Sequence, residues 1–247
     1  MSENVKVSVK NLTKSFGDLL VLDDISFDVK QGEFLCIVGP TGCGKTTFLN
    51  SLTKLYDIDK GTITLNGEAI DQKKQNIAYI FQEYSTMEWL TVEENIGYGL
   101  RIKHVPKEES AKRVAEVMEI VGLTKYAKYY PRQLSASMLQ RVVIARAFAV
   151  EPELLLMDEP LASLDFLTRA ELQSQLLAIQ EKLPRTIVLV THQLEEALLL
   201  GRRIIVMHPD STICEFDLTD LPYPRDLDDP TLRRLKEAVT DQCRYTA

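Results

Sequence analysis

The segment Gly39-Pro40-Thr41-Gly42-Cys43-Gly44-Lys45-Thr46 constrains this chain more than any other, because it follows the apolar run Phe34 to Val38 without a break. The spacing G-x-x-x-x-G-K-[ST] after a strand predicts a glycine-rich turn that enters a helix and turns backbone N–H groups toward phosphate oxygens, with the helix dipole adding favourable charge. Lys45 is then placed to reach the outer phosphates, and the Thr46 hydroxyl to bind Mg²⁺. Thr47 to Leu55 supplies the helical pattern that the loop requires.

Other segments complete an α/β pattern. Val5, Val7 and Val9 alternate with polar residues, as do Ile25, Phe27 and Val29, which predicts antiparallel strands with one wet face. The short runs Ile77 to Phe81, Leu154 to Met157 and Ile187 to Val190 are continuous, which predicts strands of a parallel sheet buried on both faces. Between the first two lies a mainly helical stretch. One helix follows Pro106 with Ala111, Val114, Ala115, Met118 and Val121 on one face; another runs through Val142 to Val150 after Ser135. A last helix is signalled by Asp229 as N-cap and Pro230 at its first position, with Leu232, Leu235 and Val239 on one face.

Chemistry-bearing residues stand where these runs end. Leu154 to Met157 leads into Asp158-Glu159, and two carboxylates at the mouth of a buried strand are costly without a cation or a proton-transfer role. Thr191-His192 ends the next run, and Gln82 follows the Ile77 to Phe81 strand. The strand ends place these groups on one sheet edge with the phosphate loop. An Mg²⁺ held through water by Asp158, with Glu159 polarising an attacking water and Gln82 touching both, accounts for the carboxylates.

Composition excludes little but usefully. The net charge of -7, from 29 Lys plus Arg against 36 Asp plus Glu, gives no electrostatic footprint for nucleic acid. The N-terminus has no apolar leader, and no stretch approaches the ~20 apolar residues of a membrane helix, so a chain neither secreted nor spanning a membrane is expected. The four cysteines, Cys36, Cys43, Cys214 and Cys243, are scattered as in a protein with reduced thiols. Cys43, inside the phosphate loop, reads as a small neutral filler whose oxidation would obstruct a nucleotide.

Taken in order, Phe16, GPTGCGKT, Gln82, LSASM at Leu134 to Met138, LLLMDEP, ASLD at Ala162 to Asp165, and His192 resemble the ATPase subunit of an ATP-binding cassette (ABC) transporter over about residues 5 to 210. The resemblance implies an ABC ATPase fold: a P-loop NTPase, RecA-like core with a mainly parallel sheet, an N-terminal antiparallel β-subdomain and an α-helical insertion. It implies an ATPase domain over 1–215, with the helical subdomain at about 83–150, and a C-terminal tail with a short helix over 216–247. ATP and Mg²⁺ are the implied cofactors. Phe16 would stack on adenine, and Gly39, Pro40, Thr41, Gly42, Cys43, Gly44, Lys45, Thr46 and Thr47 would cradle the phosphates. Thr46, Gln82 and Asp158 would serve the metal, Glu159 would be the general base and His192 the γ-phosphate switch. Ser135 and Ser137 of one subunit, and Asp165 at the dimer interface, would complete the partner's site.

A finer resemblance, carried by FQEYSTMEWLTVEENI, YPRQLS and LPYPRDLDDPTLRRL, is to importers of nitrate, sulfonates and taurine, whose ATPase subunits end soon after such a tail. It implies a homo- or heterodimer on the cytoplasmic face of the inner membrane, two membrane-spanning permease subunits and an external solute-binding protein. Tyr84, Met87 and Trp89 would form the groove for a permease helix. Two rivals remain at this point, a weakened nucleotide-binding subunit of a heterodimer and a soluble ABC ATPase that moves no solute. The first arises because the family's Leu-Ser-Gly-Gly-Gln reads Leu-Ser-Ala-Ser-Met here. An added methyl is harmless in a helical backbone but costs roughly 1 to 2 kcal/mol in a left-handed one, so a weakened trans site is expected.

Overall fold

The computed structural model describes residues 5–71 and 73–244. Along the chain the elements are β1 (Val5–Phe16), β2 (Leu19–Lys30), β3 (Phe34–Val38), α1 (Lys45–Leu52), β4 (Lys60–Leu65), β5 (Glu68–Ala69), β6 (Ile77–Ile80), α2 (Val92–Ile102), α3 (Lys107–Ile120), α4 (Ala136–Ala149), β7 (Leu154–Asp158), α5 (Phe166–Lys182), β8 (Thr186–Val190), α6 (Leu194–Leu200), β9 (Arg203–Met207), β10 (Ile213–Asp217) and α7 (Pro230–Arg244). They pack as two units, one built from the chain up to Ile77 and from Thr186 onward, the other from Ala78 to Arg185. No helix among the described residues is long and apolar enough to cross a membrane.

The first unit holds two kinds of sheet. An antiparallel one has the order β2-β1-β4-β5, with Val9 opposite Phe27 and Leu12 opposite Ile25. The alternating valines are therefore half of a layer whose inner side chains, Val7, Val9, Ile25 and Val29, are fully buried. In the other, β3 is flanked by β8 and β9, both parallel to it, and β10 runs antiparallel beside β9. Every residue of β3 and β8 is buried, as the continuous apolar runs require. The tail belongs to this unit: Asp229 accepts from the N–H groups of Thr231 (2.7 Å) and Leu232 (3.3 Å), and Leu232 and Val239 are buried while Leu235 is half-buried.

The second unit is mainly helical, with α2, α3 and α4 in mutual contact. The buried face of α3 is Val114, Val117 and Met118; Ala111 and Ala115 point to solvent, where a methyl group costs little. The helix expected through Val142 to Val150 starts as soon as Ser135 allows, because Ser135 caps it. β7 is buried throughout. In β6, by contrast, Ile77, Ala78 and Tyr79 are only half-buried, against the expectation of burial on both faces, because β6 is the edge strand beside β7.

Candidate functional site

In the first unit, β3 delivers the chain into the phosphate loop and α1 takes it out. Two glycines are required by contact. A Cβ on Gly39 would lie 2.3 Å from the Met207 carbonyl oxygen, and one on Gly44 2.5 Å from Leu22 Cδ2. Gly44 also holds φ at +97°, as the residue that opens α1, a conformation that glycine adopts without penalty. No side chain caps α1, so the positive end of its dipole is left to an anion. The Lys45 ammonium donates to the Gly39 and Pro40 carbonyls, both at 2.8 Å, and reaches Cys43 Sγ at 3.7 Å. Burial pushes the Cys43 thiol up despite that ammonium, so Cys43 is a neutral filler. Thr41, Gly42 and Thr46 are exposed, and Pro40 and Thr47 half-buried.

His192 leaves the same edge. Thr191 extends the pairing of β8 with β3 by donating its N–H to Ile37 (3.1 Å), and its hydroxyl accepts from Gln193 N–H (3.0 Å). The strands are parallel, with Val190 beside Ile37. His192 and the phosphate loop therefore emerge at neighbouring strand ends, His192 exposed. At the end of β1, Phe16 is 43% exposed, with its ring set edge-on to Tyr56 at 5.2 Å and the Lys14 ammonium 5.0 Å from its centroid. A flat face on which a further ring or cation can rest is a reasonable use of such a residue.

In the second unit, Asp158 ends β7 and is buried. One of its oxygens accepts from the Tyr79 hydroxyl on β6 at 3.2 Å. Glu159 follows with φ at +46°, a left-handed backbone that costs a non-glycine residue of order 1 kcal/mol or more and that clusters at functional turns. Asp165 caps α5 through Thr168 N–H (3.1 Å), and the hydrogen bonds from Thr168 hold its exposed carboxyl below the usual range. The segment before it is held by Arg169, which donates to the carbonyls of Leu164 (2.6 Å) and Leu161 (3.4 Å), and by Tyr84, whose hydroxyl meets Ser163 Oγ at 2.9 Å.

Gln82 is exposed at the start of a segment that two residues absent from the sequence reading hold in place. Arg146 donates to the Ser85 carbonyl (2.8 Å) and hydroxyl (2.5 Å). Asn95, with no exposed surface, donates to the carbonyls of Met87, Leu90 and Thr91 at 3.0 to 3.1 Å and accepts from Met87 N–H at 2.8 Å. Its signal was a lone amide on the apolar face of α2, beside Val92 and Ile96. Trp89 stands 74% exposed on that segment, with Tyr84 and Met87 half-buried.

Ser135 and Ser137 open α4 and belong to neither strand-end cluster. Ser135 Oγ accepts from Met138 N–H at 3.3 Å. Ala136 and Ser137 are the first two helical residues, and neither has a positive φ. The added side chains therefore carry no backbone strain.

The ABC transporter family model matches residues 22–162. The taurine import ATP-binding protein of Pelagibacter ubique is 46% identical over 188 residues, which are 76% of this chain and 71% of that protein. The aliphatic sulfonates import ATP-binding protein of Bacillus cereus is 37% identical over 246 residues, 99% of this chain and 97% of that one. The spermidine/putrescine import ATP-binding protein of Pasteurella multocida is 42% identical over 204 residues, and the chain covers only 55% of its length. Among solved structures, a dimeric bacterial ABC transporter cassette superposes with a TM-score of 0.75 at 31% identity, over 86% of this chain and 98% of the other. The fold alone is also that of cbiO1 from Clostridium perfringens, with a TM-score of 0.83 at 23% identity over 98% of each chain.

Proposed function

Because the chain belongs to the ABC transporter family, as one of its ATP-binding ATPase subunits, we propose that it hydrolyses ATP to power the uptake of a small anionic solute such as a sulfonate, taurine or nitrate. The observation that carries the ATPase part is the phosphate loop, where Gly39 and Gly44 sit in spaces no Cβ fits and Lys45 is gathered over the loop carbonyls. Support for the solute class is the match to a sulfonate importer subunit along nearly the whole of this chain, tail included, and to a taurine importer subunit at 46% identity.

In this reading the phosphates take the N–H groups of the loop and of the first turn of α1, and Lys45 exchanges carbonyl partners for phosphate oxygens. Phe16 stacks on the base. Glu159 holds the attacking water and accepts its proton, while Gln82 orients that water and His192 donates to the γ-phosphate. Ser135, Ser137 and Asp165 act across a dimer. The chemistry needs positioning and charge neutralisation more than covalent steps. The donor types suit Mg²⁺, an ion that prefers phosphate, water and one or two protein oxygens; Thr46 would offer a hydroxyl and Asp158 a carboxylate for it. When bound it would neutralise charge on the phosphates. Two permease subunits would hold the chain at the cytoplasmic face of the membrane through the Gln82 to Trp89 segment, with an external binding protein selecting the solute.

The test is steady-state ATP hydrolysis by the purified chain beside Glu159→Gln, with dimerisation followed at saturating ATP. Turnover by the wild type and an inactive variant that still dimerises support the reading. A wild type that binds ATP without turnover would favour the second reading, a gating subunit with an altered signature segment.

A further inference from the structure

The tail carries contacts that the proposed ATPase cycle does not use, and they converge on one short helix. α6 has seven residues and begins two positions after His192. A helix of this length is not stable by propensity alone, so packing and capping decide whether it holds its place. Its first turn has no side-chain cap. Its last-turn carbonyls, the groups a helix leaves without intrahelical donors, are taken by the tail. Arg225 donates one guanidinium nitrogen to the carbonyls of Leu198 (2.7 Å) and Gly201, and the other to those of Leu218 (3.0 Å) and Leu221 (3.4 Å). The Tyr223 hydroxyl donates to the Leu200 carbonyl at 2.6 Å, and the Arg225 guanidinium lies 4.4 Å from the Tyr223 ring centroid. A cation at this end of the helix is also favoured by its dipole. Near the other end, Lys236 of α7 meets Glu195 of α6 at 2.6 Å, and α7 packs along α6.

We infer that the tail is a brace for the switch histidine: Tyr223 and Arg225 are positioning residues that fix α6, and through it the backbone of His192. The strand side of His192 is already pinned, since Thr191 is bonded to Ile37 on β3, two residues before the phosphate loop. The tail fixes the helix side, so the imidazole is presented from a backbone held at both ends. Tyr223 keeps its proton as donor, because burial pushes its phenol up. The inference rests on the reading of His192 as a γ-phosphate contact. A displacement of about 1 Å at such a group is enough to cost up to a hundredfold in rate, whereas nucleotide binding depends on the loop and Phe16, which the tail residues named here do not touch.

The experiment uses the full chain as Arg225→Ala, Arg225→Lys, Tyr223→Phe and His192→Ala, with turnover at saturating ATP, affinity for a fluorescent ATP analogue, and the imidazole NMR signals of the three histidines. Expected are turnover about tenfold lower in Arg225→Ala and about two- to threefold lower in Tyr223→Phe, analogue affinity within about twofold of wild type, partial recovery in Arg225→Lys, and a shifted His192 signal beside an unchanged His104. Tyr223→Phe removes one hydroxyl and carries the test if Arg225→Ala does not fold. Unchanged turnover in both tail variants with inactive His192→Ala overturns the brace alone. A parallel fall in affinity with shifts at all three histidines also overturns it, as general loosening. Full turnover in His192→Ala overturns the functional reading, and the brace with it.

Discussion

Replacing Ala136 and Ser137 together by glycine separates two effects that the altered signature segment combines. Both residues lie in the first turn of α4 with ordinary helical backbone, so glycine relieves nothing there and only widens the choices of the unfolded chain. In a helix interior the change from Ala costs about 1 kcal/mol and from Ser about half of that. At a helix start, with Ser135 still capping Met138 N–H, about 1 kcal/mol in total is expected. For a chain of this size that lowers Tm by about 2 to 4 °C. In the proposed dimer the partner nucleotide presents its γ-phosphate to this helix start, where side chains at 136 and 137 would narrow the space. Recovery of ~1.4 kcal/mol of transition-state stabilisation would raise turnover tenfold. The assays are thermal unfolding and steady-state hydrolysis on one preparation. The double variant is expected to melt lower and turn over faster. A Tm equal to or above wild type refutes the helical argument, and unchanged or slower turnover refutes the weakened trans site.

Three further outcomes follow from particular contacts. Gly44→Ala places a Cβ 2.5 Å from Leu22 and 3.1 Å from the Val21 carbonyl at a φ of +97°; a loss of about 2 to 3 kcal/mol is expected in denaturant unfolding, together with weaker ATP-analogue binding, and wild-type values for both would contradict the fit. Asn95→Ala strips four hydrogen bonds from the Met87 to Thr91 segment, so about 2 to 4 kcal/mol should be lost and the emission of Trp89, the single tryptophan, should change; an unaltered spectrum would show that Asn95 does not hold the segment. The N–H of Thr231 holds the Asp229 carboxyl below its usual range. Its contribution to α7 is therefore full above the unfolded value of about 3.9 and lost as pH falls through the lower folded one. Limited proteolysis of the tail should accelerate only below about pH 4, and less so in Asp229→Asn, whose cap does not titrate; acceleration already at pH 6 would reject this cap as the cause.

Much of the site was legible because buried strands are short and uniform. β3, β7 and β8 each carry an unbroken run of four or five apolar residues, so the end of each run marked the phosphate loop, Asp158 and His192 as candidates. The edge strand β6 was less readable, since hydrophobicity alone does not tell an edge from a centre. Tyr79 was missed there because its hydroxyl meets a carboxylate far along the chain. Arg146 and Asn95 were missed for a similar reason: the carbonyls they bond belong to the irregular Ser85 to Thr91 segment, whose path no periodicity states. The cap at Asp229 was readable because Asp-Pro at a helix start is local chemistry, and local chemistry is what a single sequence states best.

The altered signature segment and the tail bear on the same question, which is how a site tolerates change. Ser135 retains its place because the cap it provides depends on one hydroxyl and one N–H, and the helical backbone of the two residues after it bears their side chains without strain. The phosphate loop has no such latitude: a methyl at Gly39 or Gly44 meets backbone or core within 2.5 Å. His192 lies between these cases. Its own position is exposed, and its backbone is set from either side by the β8–β3 pairing and the braced α6. Tolerance in this protein thus follows from whether a functional group is fixed by close packing, by a helix start or by distant anchors. The anchored case spreads the sensitivity to mutation furthest along the chain, to Tyr223, Arg225 and Lys236.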